Sequence, residues 1–236
     1  MARTTSDQMR DFVNWDVDTW SRAIELWDAA VRDAPPVLRC LEVGAGPGGP
    51  SLWLALKGHE VVTTNWEYTR EQAAPLHERY GIHPEYRDVD LTARIPWRDE
   101  FDIVVFKSVL GGLGADFARQ KHAMAEILAA LKPGGRLLFA ENLRATWLHR
   151  LGRAVAYRVR RASLRFTSYA EMRELLGRFE DVTLRTTGVL AVFGASEPQR
   201  NALTRVDDAV ANRLVPASWR YVAYRMARKP LTREHG

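Results

Sequence analysis

Glu42 stands two residues before a run of closely spaced glycines, Gly44, Gly46, Gly48 and Gly49, and this pairing of a carboxylate with a bare backbone is the chain's clearest chemical signal. Glycine lets the main chain adopt conformations closed to other residues and lets a ligand approach backbone atoms closely. Gly44, Gly46 and Gly49 satisfy the spacing used for dinucleotides, whereas Gly44, Gly46 and Gly48 satisfy a tighter alternation, so the glycines alone leave two readings. Glu42 separates them. Its carboxylate is placed to receive an ammonium group, directly or through water, and a dinucleotide has no such cation to offer. Cys40, the single cysteine, excludes an intrachain disulfide and reads as a small buried hydrophobe.

Positioning these residues requires strands and helices in alternation. Val37 to Val43 is a short apolar run of the kind that forms a buried parallel strand, and Ser51 to Leu56 has the density of a packed helix, with the glycine turn between them. Gly58 stops that helix; Glu60 to Asn65 reads as a second strand, Thr69 to Tyr80 as a helix and Pro84 to Asp88 as a short third strand. Phe101 to Lys107 is the clearest strand after the first. A helix from about Asp116 to Leu131 is stopped by Lys132-Pro133-Gly134-Gly135, because proline cannot continue a helix and glycine permits the reversal. Arg136 to Glu141 follows as the fifth strand. The remainder reads as helix (Tyr169 to Leu176), strand (Asp181 to Thr186), helix (Glu197 to Leu214) and final strand (Trp219 to Ala227). At the other end, Ser21 to Ala34 is a helix whose Ile24, Leu26, Trp27 and Val31 cover one edge of the sheet.

Three stretches in this order, Leu41-Glu42-Val43-Gly44-Ala45-Gly46-Pro47-Gly48, Phe101-Asp102-Ile103-Val104 and Leu131-Lys132-Pro133-Gly134-Gly135, resemble the motifs of the class I S-adenosylmethionine-dependent methyltransferases. The resemblance spans Leu38 to Glu141. It implies an α/β fold: a Rossmann-like, doubly wound, mostly parallel seven-stranded sheet with helices on both faces and the last strand antiparallel, the cofactor lying across the carboxyl ends of the strands. It also implies S-adenosyl-L-methionine as cofactor, S-adenosyl-L-homocysteine as product, and a cofactor-binding set of Glu42, Gly44, Ala45, Gly46, Gly48, Asn65, Trp66, Asp88, Val89 and Lys107.

Within that set, Asn65 stands about 20 residues past Gly44, where the family carries a ribose-binding acid. Asparagine keeps a hydrogen bond to the ribose without the charge, and Glu67 is the nearby substitute. Trp66 is set to pack on the adenine face. Asp88 is set to accept from the adenine amino group, with the Val89 amide beside it and Asp90 as the other register. Lys107 falls where a strand end flanks the sulfonium. Gly111 and Gly112 stand where many relatives carry a histidine pair, so the candidate bases are His149 and, at the end of the fifth strand, Glu141.

The 236 residues suit a single domain with two elaborations: an N-terminal helical lid over about 10–34, in which Trp15 and Trp20 close over the site, and a basic helical insertion over about 144–165. In the insertion, Leu148, Leu151, Val155 and Val159 fall on one helical stripe, and Arg150, Arg153, Tyr157 and Arg161 on another. Two readings follow: a lid reaching for phosphate, carboxylate or an anionic membrane surface, or a solvated arginine face over an apolar seam. The net charge of +5 admits an anionic small-molecule partner, but no recognition domain or stacking series marks a nucleic-acid binder. No apolar run reaches the roughly 20 residues of a membrane-spanning helix, and Met1 to Gln8 lack the apolar core of a signal peptide, so a cytoplasmic location is expected. There is no cysteine pair, no metal-ligand cluster, and no Asn/Asp-Pro-Pro-aromatic stretch of the amide and base N-methylating enzymes. The expected activity is in-line methyl transfer, at oxygen, to a small molecule or a saccharide- or lipid-linked biosynthetic intermediate, by a monomer or homodimer. Its alternatives are nucleic-acid methylation, raised by the charge, and a catalytically inactive cofactor binder, raised by Asn65.

Overall fold

The computed structural model describes residues 6–32, 36–160, 164–182 and 184–231; Ala34, Arg161 and Thr183, named within elements or stripes above, lie outside them. The strands are β1 Arg39–Glu42, β2 Glu60–Asn65, β3 Glu85–Asp88, β4 Phe101–Lys107, β5 Leu131–Asn142, β6 Arg185–Thr187 and β7 Val222–Arg228. Helices α1 Ser6–Val13 and α2 Val17–Arg32 precede β1, and α3 Gly49–Ala55, α4 Thr69–Glu78 and α5 Phe117–Ala130 connect the strands up to β5. Helices α6 Trp147–Arg160 and α7 Tyr169–Leu175 follow β5, and α8 Glu197–Val206 lies between β6 and β7. The seven strands form one sheet in the order β3-β2-β1-β4-β5-β7-β6. All neighbours are parallel except β7, which runs antiparallel to both β5 and β6. This is the doubly wound, mostly parallel arrangement implied by the motifs. The strand order reverses between β1 and β4, which opens a crevice at the carboxyl edge beside the glycine turn.

Strand periodicity builds the two layers. Leu41, Val104, Phe106, Leu137 and Phe139 point to one face and pack with Met124, Ile127 and Leu128 of α5 and Met172 and Leu175 of α7. Cys40, Ile103, Val105, Leu138 and Ala140 point to the other, against Trp20, Ile24 and Trp27 of α2 and Leu52, Trp53 and Leu54 of α3. Burial pushes the Cys40 thiol well above its ordinary range, in keeping with a packing role. The same two-sided burial makes these strands read as continuous apolar runs.

Several boundaries differ from expectation, β6 among them, which is confined to Arg185–Thr187. β5 begins at Leu131, because Leu131 pairs with Phe101 and a register shift then absorbs the Pro-Gly-Gly before Arg136 meets Ile103. The long helix after β6 is interrupted: α8 ends at Val206 and Asp207–Ala211 widens into a π turn. There the buried Asp207 carboxylate accepts the amides of Val189, Leu190 and Ala191. The final strand starts at Val222, not Trp219, because Ala217–Trp219 closes a 3-10 turn.

Helix α7 starts at a complete capping box, Ser168 Oγ accepting from the Glu171 amide and Glu171 from the Ser168 amide. Ser168→Ala is expected to lower unfolding free energy by about 1 kcal/mol. A urea midpoint equal to wild type, at unchanged slope, would refute that.

Candidate active site

The glycine turn is held from three sides. Gly44, Gly46 and Gly48 have φ of +63°, +53° and +81°, in the left-handed region. A Cβ on Gly44 would stand 2.6 Å from a Val109 methyl, and one on Gly48 would stand 2.5 Å from His77 Nε2. At Gly46 a Cβ would meet nothing within 4 Å, so the turn is packed behind and open in front. His77 was not foreseen from sequence. Its Nε2 lies 2.8 Å from the Gly48 carbonyl and its Nδ1 lies 2.9 Å from the Tyr86 hydroxyl, so Nε2 donates and Nδ1 accepts. Burial lowers its pKa and keeps it neutral.

Glu42, at the end of β1, is buried and accepts the Ser51 amide at 2.8 Å, inside the first turns of α3. Burial pushes this carboxyl up to about 8, against the opposing pull of Ser51 and Lys107. Asn65 reaches back to the turn: its Oδ1 accepts from the Gly46 amide at 3.1 Å and its Nδ2 donates to Gln72 Oε1 at 3.1 Å. Ala45 is pinned by its amide to the Thr64 carbonyl at 2.8 Å. Trp66 is exposed, and Asp88, in register with Asn65, accepts from the Thr69 amide at 3.0 Å; the Thr69 side chain and then this amide hold its pKa down. The Val89 amide is already spent on the Asn65 carbonyl at 2.6 Å, which corrects the expectation that it reaches a ligand ring. Asp90 closes its own turn, its Oδ1 accepting from the Thr92 amide at 2.7 Å.

Lys107, at the end of β4, is the unusual group. Its ammonium sits 4.4 Å above the centre of the Trp20 ring from α2. Three carboxylates act on it: Glu141 from β5, Glu42 from β1 and Asp16 from the turn between α1 and α2. Burial nevertheless wins and lowers it to about 8. Asp16, missed in the sequence, is fully buried; its Oδ2 accepts from the Tyr221 hydroxyl of the segment entering β7, and its Oδ1 has no partner. Burial raises it to about 6. The amides of Asp16 and Val17 donate to Glu197 of α8 at 3.2 and 2.6 Å, so the N-terminal segment is tied to the far end of the chain.

The two expected bases occupy different surroundings. Glu141 accepts the amides of Val109 at 2.8 Å, Leu110 at 2.7 Å and Asn142 at 2.8 Å. It anchors the loop after β4, which turns through left-handed Ser108. Burial pushes it up to about 7 in spite of those amides and Lys107. His149 is buried with both ring nitrogens engaged: Nε2 donates to the Val189 carbonyl at 2.8 Å and Nδ1 takes the Thr146 hydroxyl at 2.7 Å. Burial depresses its pKa, and neither nitrogen has a lone pair left for a substrate. His149 thus belongs, with Asp207 on the other side of Val189, to a network that shapes the wall.

A parallel sheet of this order, a glycine turn at its topological switch point and a carboxylate two residues ahead of it define the Rossmann-like methyltransferase fold. Residues 41–139 match the family model for a methyltransferase domain. A SAM-dependent methyltransferase from Methanosarcina mazei superposes with a TM-score of 0.63 at 18% identity, covering 86% of this chain and 98% of that one. Phosphoethanolamine N-methyltransferase 2 of Haemonchus contortus, solved with S-adenosyl-L-methionine, gives 0.61 at 16% identity over 89% of this chain and 53% of that one. The CurJ carbon methyltransferase gives 0.58 at 15% over 88% and 54%. No curated protein sequence matches. Over residues 41–139 the chain matches a methyltransferase domain, and its fold is that of the S-adenosylmethionine-dependent methyltransferases, which use S-adenosylmethionine as cofactor. The residues present fit that molecule: the open face at Gly46 leaves room against the turn, and the buried carboxylate of Glu42 at the adjoining strand end suits an ammonium group. Among the described residues, no helix is long and apolar enough to cross a membrane.

Proposed function

We propose that the chain methylates a hydroxyl of a small molecule or of a saccharide- or lipid-linked biosynthetic intermediate, with Lys107 as the proton acceptor. The observation that carries this reading is the position of the partly buried Lys107 at the end of β4, with its ammonium 4.4 Å from the centre of the Trp20 ring and under the influence of Glu141, Glu42 and Asp16. S-adenosylmethionine, when bound, supplies an electrophilic methyl group. Gly44, Ala45, Gly46 and Gly48 cradle it, Glu42 receives its ammonium, Asn65 with Glu67 faces the ribose, and Asp88 and Trp66 serve the adenine. Helices α1 and α2 act as a lid whose Trp20 shields Lys107 from water, and the segment around α6 walls the acceptor side. Glu141 fixes the loop at Val109 and Leu110 and so orients the acceptor's side of the cleft. A hydroxyl is a weak nucleophile until its proton leaves, and neutral Lys107 takes that proton at Nζ.

The pH dependence has a definite sign. Lys107 acts only when neutral, and with a pKa near 8 roughly a tenth of it is neutral at pH 7. Transfer is therefore expected to rise with pH and to level off above about 8, while Asp16 and Glu141 ionise at lower pH and Glu42 ionises over the same interval as Lys107. The test supplies methyl-labelled S-adenosylmethionine with hydroxylated small molecules, free and lipid-linked saccharides, and RNA, each across that range. Label in the first two pools, rising with pH, supports the reading. Label confined to RNA replaces it with nucleic-acid methylation, and tight cofactor binding with no label in any pool favours an inactive binder.

A further inference from the structure

One stripe of α6 is turned the opposite way from a buried amphipathic helix. Trp147, Leu148 and Leu151 are 68%, 50% and 56% exposed. The inward side is instead His149 and Arg153, the latter donating to the Leu143 carbonyl at 2.6 Å with its guanidinium 3.9 Å from the centre of the Phe166 ring. Phe193, 47% exposed, lies against Gly152, where a Cβ would stand 3.2 Å from its ring, and so continues the apolar strip onto the segment before α8. Positions 147, 148 and 151 share one helical face, and exposed Arg150 borders it. The helix continues in sequence through Arg158 and Arg160. Single exposed apolar side chains are ordinary, but a tryptophan and two leucines together on one face, edged by arginine, have the composition of a helix that lies in a lipid interface.

The strip also has a telling location. Helix α6 leaves the carboxyl end of β5, which runs parallel to β4 and, through it, to β1. It therefore stands at the same edge of the sheet as the glycine turn and Lys107.

The geometry points to α6 as a docking element that seats this edge of the protein on an anionic lipid surface. A second copy of the chain is a poorer occupant. Four side chains cover far less than the roughly 800 Å² per partner of a stable interface, and a two-fold contact would bring like-charged arginines together. An anionic bilayer satisfies both features: the Trp147 ring lies at headgroup level, the leucines go below it, and the exposed Arg150 meets phosphate. That a lipid-carried acceptor then enters the cleft from the membrane side rests on the function proposed above; the docking itself does not.

The test is co-sedimentation of the full chain with vesicles of phosphatidylcholine alone and of phosphatidylcholine mixed with phosphatidylglycerol. Partition onto the anionic vesicles is expected to exceed that onto the neutral ones by about tenfold and to fall as salt is raised. The double substitution Leu148→Asp and Leu151→Asp, at exposed positions, is expected to remove that excess while leaving the circular dichroism and S-adenosylmethionine affinity unchanged. Equal partition onto both vesicles, or none, overturns the proposal. So does a concentration-dependent dimer that the same double substitution dissolves. Failure of the transferase reading shows separately, as absence of S-adenosylmethionine binding in the wild-type chain.

Discussion

Gly46→Arg is expected to abolish S-adenosylmethionine binding while leaving a folded protein. A side chain at this position starts in open space, with nothing within 4 Å of its Cβ, so the substitution meets no packed neighbour. Its backbone cost is that of a non-glycine residue at φ +53°, about 1 kcal/mol. The long side chain then extends along the open front of the turn, where the cofactor is proposed to lie against main-chain atoms, and brings a positive charge to a site proposed for a cationic ligand. A loss of more than about a hundredfold in affinity, some 2.7 kcal/mol, is expected by isothermal titration, with the melting transition lowered only slightly. The contrast with its neighbours explains the choice. Gly44 and Gly48 are closed off by Val109 and His77, and any side chain there acts first on packing. Undiminished binding by the Gly46 variant would move the cofactor away from this turn.

The second large effect is expected at Lys107. Lys107→Met keeps the aliphatic stem under Trp20 and removes the amine proposed to take up the acceptor's proton. Transfer is expected to fall by about a hundred- to a thousandfold, the usual contribution of a general base. Cofactor affinity should change little, since the ammonium is directed to the acceptor side in this reading. Lys107→Arg tests the role independently: it restores positive charge but cannot deprotonate, so it should not restore transfer. The residual activity of both variants should also lose its rise toward pH 8. Turnover at the wild-type rate in the methionine variant would dismiss Lys107 as base, and recovery in the arginine variant would reassign it to electrostatic positioning.

Strands with both faces buried were the most readable part of the chain. β2 and β4 occupy the residues expected of them, Glu60–Asn65 and Phe101–Lys107, because strands buried on both faces favour runs rich in β-branched and apolar side chains. The turn at Gly44 was equally plain, since left-handed backbone leaves few residue types to choose from. What escaped was long-range. His149 looked free in sequence because its partner is a backbone carbonyl 40 residues away, at Val189, which no side-chain pattern announces. Asp16 carried no signal in the sequence; its hydrogen bond with Tyr221 joins positions 205 apart. The stripe of Leu148 and Leu151 carries correct helical periodicity, but periodicity reports that two faces differ and not which of them meets the core. Pro133 and Gly134 were read as a stop for the helix and are one, yet the same residues also begin β5 as a bulged strand.

The place of β7 has a consequence for the order in which the enzyme becomes competent. It is the last of the described strands in the chain, yet it is inserted between β5 and β6. A ribosome releasing this polypeptide exposes a complete five-stranded half, with the glycine turn formed, well before Tyr221 is available to grip Asp16 and so steady Trp20 over Lys107. Until then β5 presents an open edge, the kind of surface that recruits other chains. Pairing of β7 closes that edge and brings Tyr221 to Asp16 in one event, so protection against aggregation arrives together with the anchoring of the segment that holds Trp20 over Lys107.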